Sequence, residues 1–154
     1  MRRTVARLSA VVVLAMLGEA AQAQPATPPA ASPEGIWLTE DGTGVVEIAP
    51  CGQDLCGRIV GIGEFQPDGS APRDTQGRSE CGLTILVLDS RTGPESWDGR
   101  VTDPEDGKTY NTTVRLDDAG RLRLRGYIGV PLFGSTQTWT RYPGRLTPDC
   151  HMQQ

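Results

Sequence analysis

The sequence has 154 residues, a formal net charge of −4 and 5% aromatic residues, with 19 glycines, 12 prolines and four cysteines. This length fits one domain with its own core. The acidic balance argues against a general nucleic-acid binder. The many glycines and prolines argue against a helical fold, because both residues destabilise helices.

The first 23 residues have the pattern of a secretory signal peptide. Arg2, Arg3 and Arg7 form a positive segment, residues 10–17 an apolar core, and residues 21–23 (Ala-Gln-Ala) a small-residue cleavage site. The apolar core is far shorter than the roughly 20 residues that a transmembrane helix needs. We therefore expect an exported, periplasmic protein with no transmembrane segment.

A second segment, residues 24–33, is rich in proline and alanine and has no large apolar side chain. It cannot bury surface to offset the cost of ordering, so we expect an extended, mobile leader. A single folded domain should then cover residues 34–154.

Within that domain, turn signals recur about every 8 to 12 residues, a spacing typical of all-β proteins. Alternating hydrophobicity and turn chemistry predict eight strands. The predicted strands are residues 36–39, 45–49, 56–62, 83–88, 97–102, 108–116, 121–128 and 137–142. The longest connection, residues 64–80, is polar and has no periodicity.

Most of these strands are joined by short turns, which makes neighbours antiparallel. Eight antiparallel strands in chain order close naturally into an up-and-down β-barrel, which removes exposed edges. In residues 121–125 two leucines alternate with three arginines, which places the leucines inside and the guanidinium groups in water. A β-sandwich is the alternative architecture.

Four cysteines, Cys51, Cys56, Cys81 and Cys150, predict two disulfides in an exported chain, with three connectivities open. Cys51 and Cys56 flank a turn-like segment, so a local bridge is sterically reasonable, and Cys81 would then pair with Cys150. A metal site is not expected, because the only histidine, His151, lies near the chain end.

The first and last predicted strands each carry a tryptophan motif. Gly35-Ile36-Trp37 opens the first strand, and Trp139-Thr140-Arg141 lies in the last. A Gly-x-Trp at the start of a barrel with an arginine near its end resembles the lipocalin and wider calycin pattern. The resemblance implies that Trp37 plugs one end of the barrel while Arg141 lies on its ring, a contact worth about 0.5 to 2 kcal/mol. Gly35, Trp37, Trp139 and Arg141 are therefore predicted to close the barrel.

Two other groups of charged residues favour structural roles. Residues 103–107 hold three carboxylates near Asp98 that could hold Ca²⁺, but a solvated hairpin turn explains them better. An arginine stripe interleaved with Asp117 and Asp118 indicates a solvated strand face. Its members are Arg115, Arg121, Arg123 and Arg125.

The sequence gives little support to catalysis. There is no Gly-x-Ser-x-Gly motif and no histidine outside the tail. The candidate acid–base pairs come from Asp98, Asp103, Glu105 and Asp106, with no apolar surroundings that would raise a pKa. We expect a non-enzyme with no cofactor and no metal.

Six phrases cover most of the expected mature chain. They are GIWLTEDG (35–42), VVEIAPCGQDLCGRIV (45–60), CGLTIL (81–86), WDGRVTDPEDGKTY (97–110), LRLRGYIG (122–129) and QTWTR (137–141). In this order they resemble the exported bacterial proteins that carry domain of unknown function 2147. The resemblance implies a small calycin-like barrel in the bacterial envelope and a Cys51–Cys56 bridge. One departure is that residues 68–80 lack the Asn-Pro stretch usual in the family's middle loop.

Two functions follow from these patterns. The first is non-enzymatic binding of a small, partly apolar ligand or an envelope component, with Trp97, Tyr110 and Gln137 as the guessed ligand contacts. The alternative is a filled barrel that acts as a structural or protein-interaction module through its outer face or residues 64–80. No nucleic-acid partner is expected, and the sequence does not define the oligomeric state.

Overall fold

The structure, a computed structural model, describes residues 31–153. The predicted signal peptide (1–23) and most of the predicted leader (24–33) lie outside the described residues. Within the described part of the chain, no helix has the length and hydrophobicity needed to cross a membrane.

The regular secondary structure of the described chain consists of ten β-strands and one short 3-10 turn. The main strands are β1 (Gly35–Leu38), β2 (Gly44–Cys51), β3 (Asp54–Ile62), β4 (Thr84–Gly93), β5 (Ser96–Thr102), β6 (Thr109–Leu116), β7 (Leu122–Tyr127) and β8 (Ser135–Arg141). Two short strands follow, β9 (Arg145–Leu146) and β10 (Met152–Gln153), and the 3-10 turn is Pro131–Phe133.

Strands β1 to β8 form a closed antiparallel barrel in chain order. The barrel closes where β1 pairs with β8, with Trp37 opposite Arg141 and Leu38 opposite Thr140. All eight predicted strands are present, and the up-and-down barrel is confirmed over the sandwich alternative. Bulges interrupt the ladders, for example between Val45 and Val46, and increase the local twist that closure needs.

The barrel interior is packed with large apolar side chains. The central cluster has ten buried residues, including all three tryptophans. Its members are Trp37, Val46, Ile48, Leu86, Leu88, Trp97, Val114, Leu122, Leu124 and Trp139. Leu122 and Leu124 are buried while Arg121 and Arg123 are exposed, as the alternating pattern predicts.

A second layer covers the outside of β2 and β3. It is formed by the β3–β4 loop (63–83) and by the C-terminal segment 142–153, which we call the strap. Strands β9 and β10 of the strap pair with each other. These two strands were not predicted, because a two-residue strand is too short to show an alternating pattern.

Two disulfides are present, as the sequence predicts. Cys51–Cys56 closes the β2–β3 hairpin, and Cys81–Cys150 ties the strap to the end of the β3–β4 loop. Cys150 is 4% exposed and packs with Ile59 and Ile62. The long-range bridge therefore joins the two parts of the second layer, and the packing of Cys150 on β3 places that layer against the barrel wall.

The folded part of the chain begins before Glu34. Pro33, which the proline-rich composition assigns to the leader, is buried, and its carbonyl oxygen accepts a 2.7 Å hydrogen bond from the Trp37 indole nitrogen. The indole N–H needs an acceptor when it is buried, and this contact supplies one.

Candidate functional site

One end of the barrel, which we call the Trp37 end, carries an aromatic–cation contact between the first and last barrel strands. The Arg141 guanidinium carbon lies 3.8 Å from the centre of the Trp37 ring system. Arg141 also donates a 2.6 Å hydrogen bond to the Glu34 carbonyl oxygen. Partial burial of the guanidinium lowers the pKa of Arg141 from its usual high value, and the group stays charged at neutral pH.

Gly35 makes this contact possible. Its backbone has a φ of +124°, and a Cβ atom placed there would collide with the Arg141 guanidinium. Trp139 is also buried, and its indole nitrogen donates a 2.8 Å hydrogen bond to the Gln137 side chain. The structure therefore brings Gly35, Trp37 and Arg141 together, whereas Trp139 packs beside them in the core.

The side chains of the three predicted ligand contacts differ in burial and in their partners. Trp97 is 6% exposed and belongs to the central cluster, with Arg91 5.5 Å from its ring centre. Tyr110 is half-buried, and its hydroxyl donates a 3.4 Å hydrogen bond to Asp106. Gln137 is exposed and already accepts the bond from Trp139. Their role in ligand binding stays a prediction.

A groove with a volume of about 380 Å³ lies outside the barrel, between its wall and the strap. Its apolar lining includes Ile36, Val60 and Leu146. An ion pair between Arg58 and Glu47, 3.1 Å apart, lies in the same lining. The groove thus offers apolar surface beside two opposite charges.

The opposite end of the barrel, which we call the loop end, carries four connections: residues 39–43, 63–83, 103–108 and 128–134. The last of them, which we call the apolar loop, contains four exposed apolar side chains. Ile128 is 71%, Val130 52%, Leu132 78% and Phe133 81% exposed. Isolated exposed apolar residues are common, but four within six positions form a patch.

Arg125 holds the apolar loop in a defined conformation. Its guanidinium donates hydrogen bonds to the carbonyl oxygens of Pro131 (2.7 Å) and Leu132 (3.2 Å) and to the Thr136 hydroxyl (2.8 Å). Arg125, predicted to be a solvated member of a basic stripe, is therefore a loop-positioning residue.

The other three connections at the loop end are acidic. The Glu40 carboxylate accepts a hydrogen bond from the Thr138 backbone nitrogen, which brings residues 39–43 beside the middle of β8. A Cβ at Gly107 would contact Thr75, so the β3–β4 loop meets the 103–108 turn. Burial and the nearby carboxylates of Glu105, Asp103 and Asp74 raise the pKa of Glu80.

The candidate acid–base carboxylates serve local structure. Asp98 accepts a 2.9 Å bond from the Thr113 hydroxyl. Asp103 and Asp106 each accept a 2.8 Å bond from a backbone N–H of their own turn, those of Glu105 and Lys108. The Lys108 backbone and side-chain hydrogen bonds lower the pKa of Asp106. These contacts match the hairpin-turn interpretation of residues 103–107.

The apolar loop was not predicted as a candidate site. The segment from 128 to 133 is largely apolar and contains no charged residue, which is the signal that the sequence carries for this loop. A run of this composition usually predicts a buried segment, because large apolar side chains are most often found in the protein interior. Its exposure becomes visible only when the strand ends and the Arg125 contacts are known.

Comparison with known proteins identifies the family. Residues 35–141 match the family described as "Uncharacterized protein conserved in bacteria (DUF2147)". The chain belongs to this family. Because the match runs from Gly35 to Arg141, it begins and ends on the two residues that meet at the Trp37 end.

A solved structure has the same fold. Protein HP1028 from the human pathogen Helicobacter pylori, which is described as belonging to the lipocalin family, is similar with a TM-score of 0.58 and 23% sequence identity. The likeness covers 71% of this chain and 82% of that one. At this identity it shows a shared lipocalin-like barrel. No curated protein matches the chain.

Proposed function

We propose that this protein is an exported, periplasmic, non-enzymatic interaction module, with the barrel as a rigid scaffold and the loop end as its contact surface. The filled interior carries the proposal. An eight-stranded barrel is just wide enough for its own side chains or one small ligand. Here ten buried apolar residues, three of them tryptophans, occupy the interior.

Two further observations support export and a surface role. Two disulfides are typical of proteins that fold in oxidising compartments. The acid–base candidates Asp98, Asp103 and Asp106 already accept hydrogen bonds that hold strands and turns, which favours a non-enzymatic protein.

In-cell photo-crosslinking tests this proposal. A photo-reactive phenylalanine replaces Leu132 at the loop end or, as a matched control, Gln53 in the exposed turn at the Trp37 end. In the source bacterium, Leu132 should yield a protein adduct of defined mass that Gln53 does not. Equal adducts from both positions, or no adduct from either, would contradict a dedicated surface at the loop end.

The exterior groove favours a second candidate function, binding of a small, partly apolar ligand. Its volume of about 380 Å³ lies within the usual range of ligand sites. A ligand with an apolar body and one charged group would match the Ile36, Val60 and Leu146 walls and the Arg58–Glu47 pair. Val60→Trp should fill the groove and abolish such binding, measured as loss of the ligand from the purified protein.

A further inference from the structure

We propose that the loop end docks a basic amphipathic segment of a partner protein, with the apolar loop as the central anchor and the surrounding carboxylates as the rim. This inference rests on the proposed function and names the chemistry of its partner. It follows from three observations: the exposure of the apolar loop, its fixed conformation and the charge around it.

The anchor is exposed and ordered at the same time. Leu132 and Phe133 are 78% and 81% exposed, yet Arg125 binds the carbonyl oxygens of Pro131 and Leu132. The 3-10 turn adds a hydrogen bond from the Gly134 nitrogen to the Pro131 oxygen. A loop fixed in this way loses little conformational entropy on binding, which favours tight contacts.

The excess negative charge of the described chain lies in the other connections of the loop end. These three connections hold nine acidic and three basic residues, whereas the rest of the described chain holds nine of each. The two that flank the apolar loop along the barrel rim, residues 39–43 and 103–108, hold five of the nine acidic residues and one of the three basic ones. The whole excess negative charge of the described chain therefore lies at the loop end. The acidic members are Glu40, Asp41, Glu64, Asp68, Asp74, Glu80, Asp103, Glu105 and Asp106.

The negative charge at the loop end determines which kind of partner can cover the apolar loop. A second copy would bring two acidic ends together, and an anionic lipid surface would repel the same carboxylates. A segment with apolar side chains on one face and lysine or arginine around them satisfies both the loop and its rim. Basic amphipathic helices have this pattern.

A pair of synthetic peptides provides the probe. One is an amphipathic helix of leucine and lysine, and the other has glutamate in place of every lysine. The full mature protein should bind the leucine–lysine peptide, with affinity falling as salt increases, and should not bind the leucine–glutamate peptide. Fluorescence anisotropy of labelled peptide measures both.

Matched variants assign the binding to the loop end. Leu132→Ser with Phe133→Ser should weaken binding of the leucine–lysine peptide at least about tenfold. Asp103→Asn with Glu105→Gln should weaken it and reduce its salt dependence. As a control, two carboxylates at the Trp37 end are neutralised by Glu95→Gln with Asp118→Asn, and this variant should bind the leucine–lysine peptide as the wild type does. Thermal melting confirms that each variant is folded.

Several outcomes would overturn the inference: equal binding of both peptides, equal loss in the control variant, or binding unaffected by the two serine substitutions. Binding to phosphatidylcholine vesicles that the serine variant loses, without binding to the leucine–lysine peptide, would assign the loop to a membrane instead. If neither peptide binds while the photo-reactive residue at position 132 still crosslinks a protein in cells, the basic amphipathic partner is ruled out and the proposed function stands. If no crosslink forms either, the proposed function is ruled out as well.

Discussion

Gly35 shows how the backbone at a single residue leaves room for the contact between Trp37 and Arg141. Its positive φ and the close approach of Arg141 leave no room for a side chain, so the glycine, the Trp37 ring and the guanidinium form one unit. Gly120 has a φ of +72°, and a Cβ added there would meet no atom within 4 Å, so it provides a control for backbone strain alone.

We predict that Gly35→Ala destabilises the protein by about 3 kcal/mol, because backbone strain adds to the loss of the cation–π contact. Gly120→Ala should cost about 1 kcal/mol, the backbone penalty alone. Urea denaturation followed by tryptophan fluorescence measures both. Equal losses for the two variants would show that the Arg141 contact contributes little.

Asp74 gives a residue-scale prediction about pH. Its side chain is 4% exposed, and burial alone would raise its pKa. Hydrogen bonds from the Arg78 side chain and from the backbone nitrogens of Arg78 and Gln76 outweigh burial and lower the pKa of Asp74 from its ordinary value. A lowered folded-state pKa stabilises the protein above the unfolded value, and this stability is lost as the pH falls through the folded value.

The free energy of unfolding of the wild type should therefore exceed that of Asp74→Asn at pH 6, and the difference should shrink towards pH 3. Denaturation curves at several pH values measure it. A difference that is constant with pH would show that ionisation of Asp74 does not stabilise the β3–β4 loop.

At the scale of elements, the two disulfides should contribute unequally. Cys81 and Cys150 are 69 positions apart, whereas Cys51 and Cys56 are five apart. Closing the longer loop restricts the unfolded chain more, which predicts a stabilisation of about 4 kcal/mol for Cys81–Cys150 and about 2 kcal/mol for Cys51–Cys56.

Replacing each pair with alanine and comparing the denaturation midpoints tests this order. The Cys81–Cys150 variant should be the less stable of the two, and hydrogen exchange should show the strap opening first. A larger loss from the Cys51–Cys56 variant would mean that the link between the strap and the β3–β4 loop contributes little to stability.

The elements also show which features a sequence predicts well. The eight barrel strands were predictable because alternation and turn residues are local signals, as in Leu122 and Leu124 between arginines. The strap was not, because Leu146 is placed by packing near Gly61 and Val45, which are distant in sequence. The apolar loop was missed for a similar reason, since its exposure depends on contacts made by Arg125.

At the scale of the whole molecule, we propose that the barrel is a filled scaffold that acts through its surface. The ten buried residues fill the interior, and the excess negative charge lies at only one of the two ends. The core supplies stability, and the loop end supplies an ordered, chemically distinct surface.

Native mass spectrometry of the protein extracted gently from its source bacterium tests this claim most directly. We expect a bare chain with a mass four hydrogens below that of the reduced mature protein, because both disulfides are formed. A releasable small molecule of a few hundred daltons, present at one copy per chain and retained when the groove is filled by Val60→Trp, would place a ligand inside the barrel and contradict the claim.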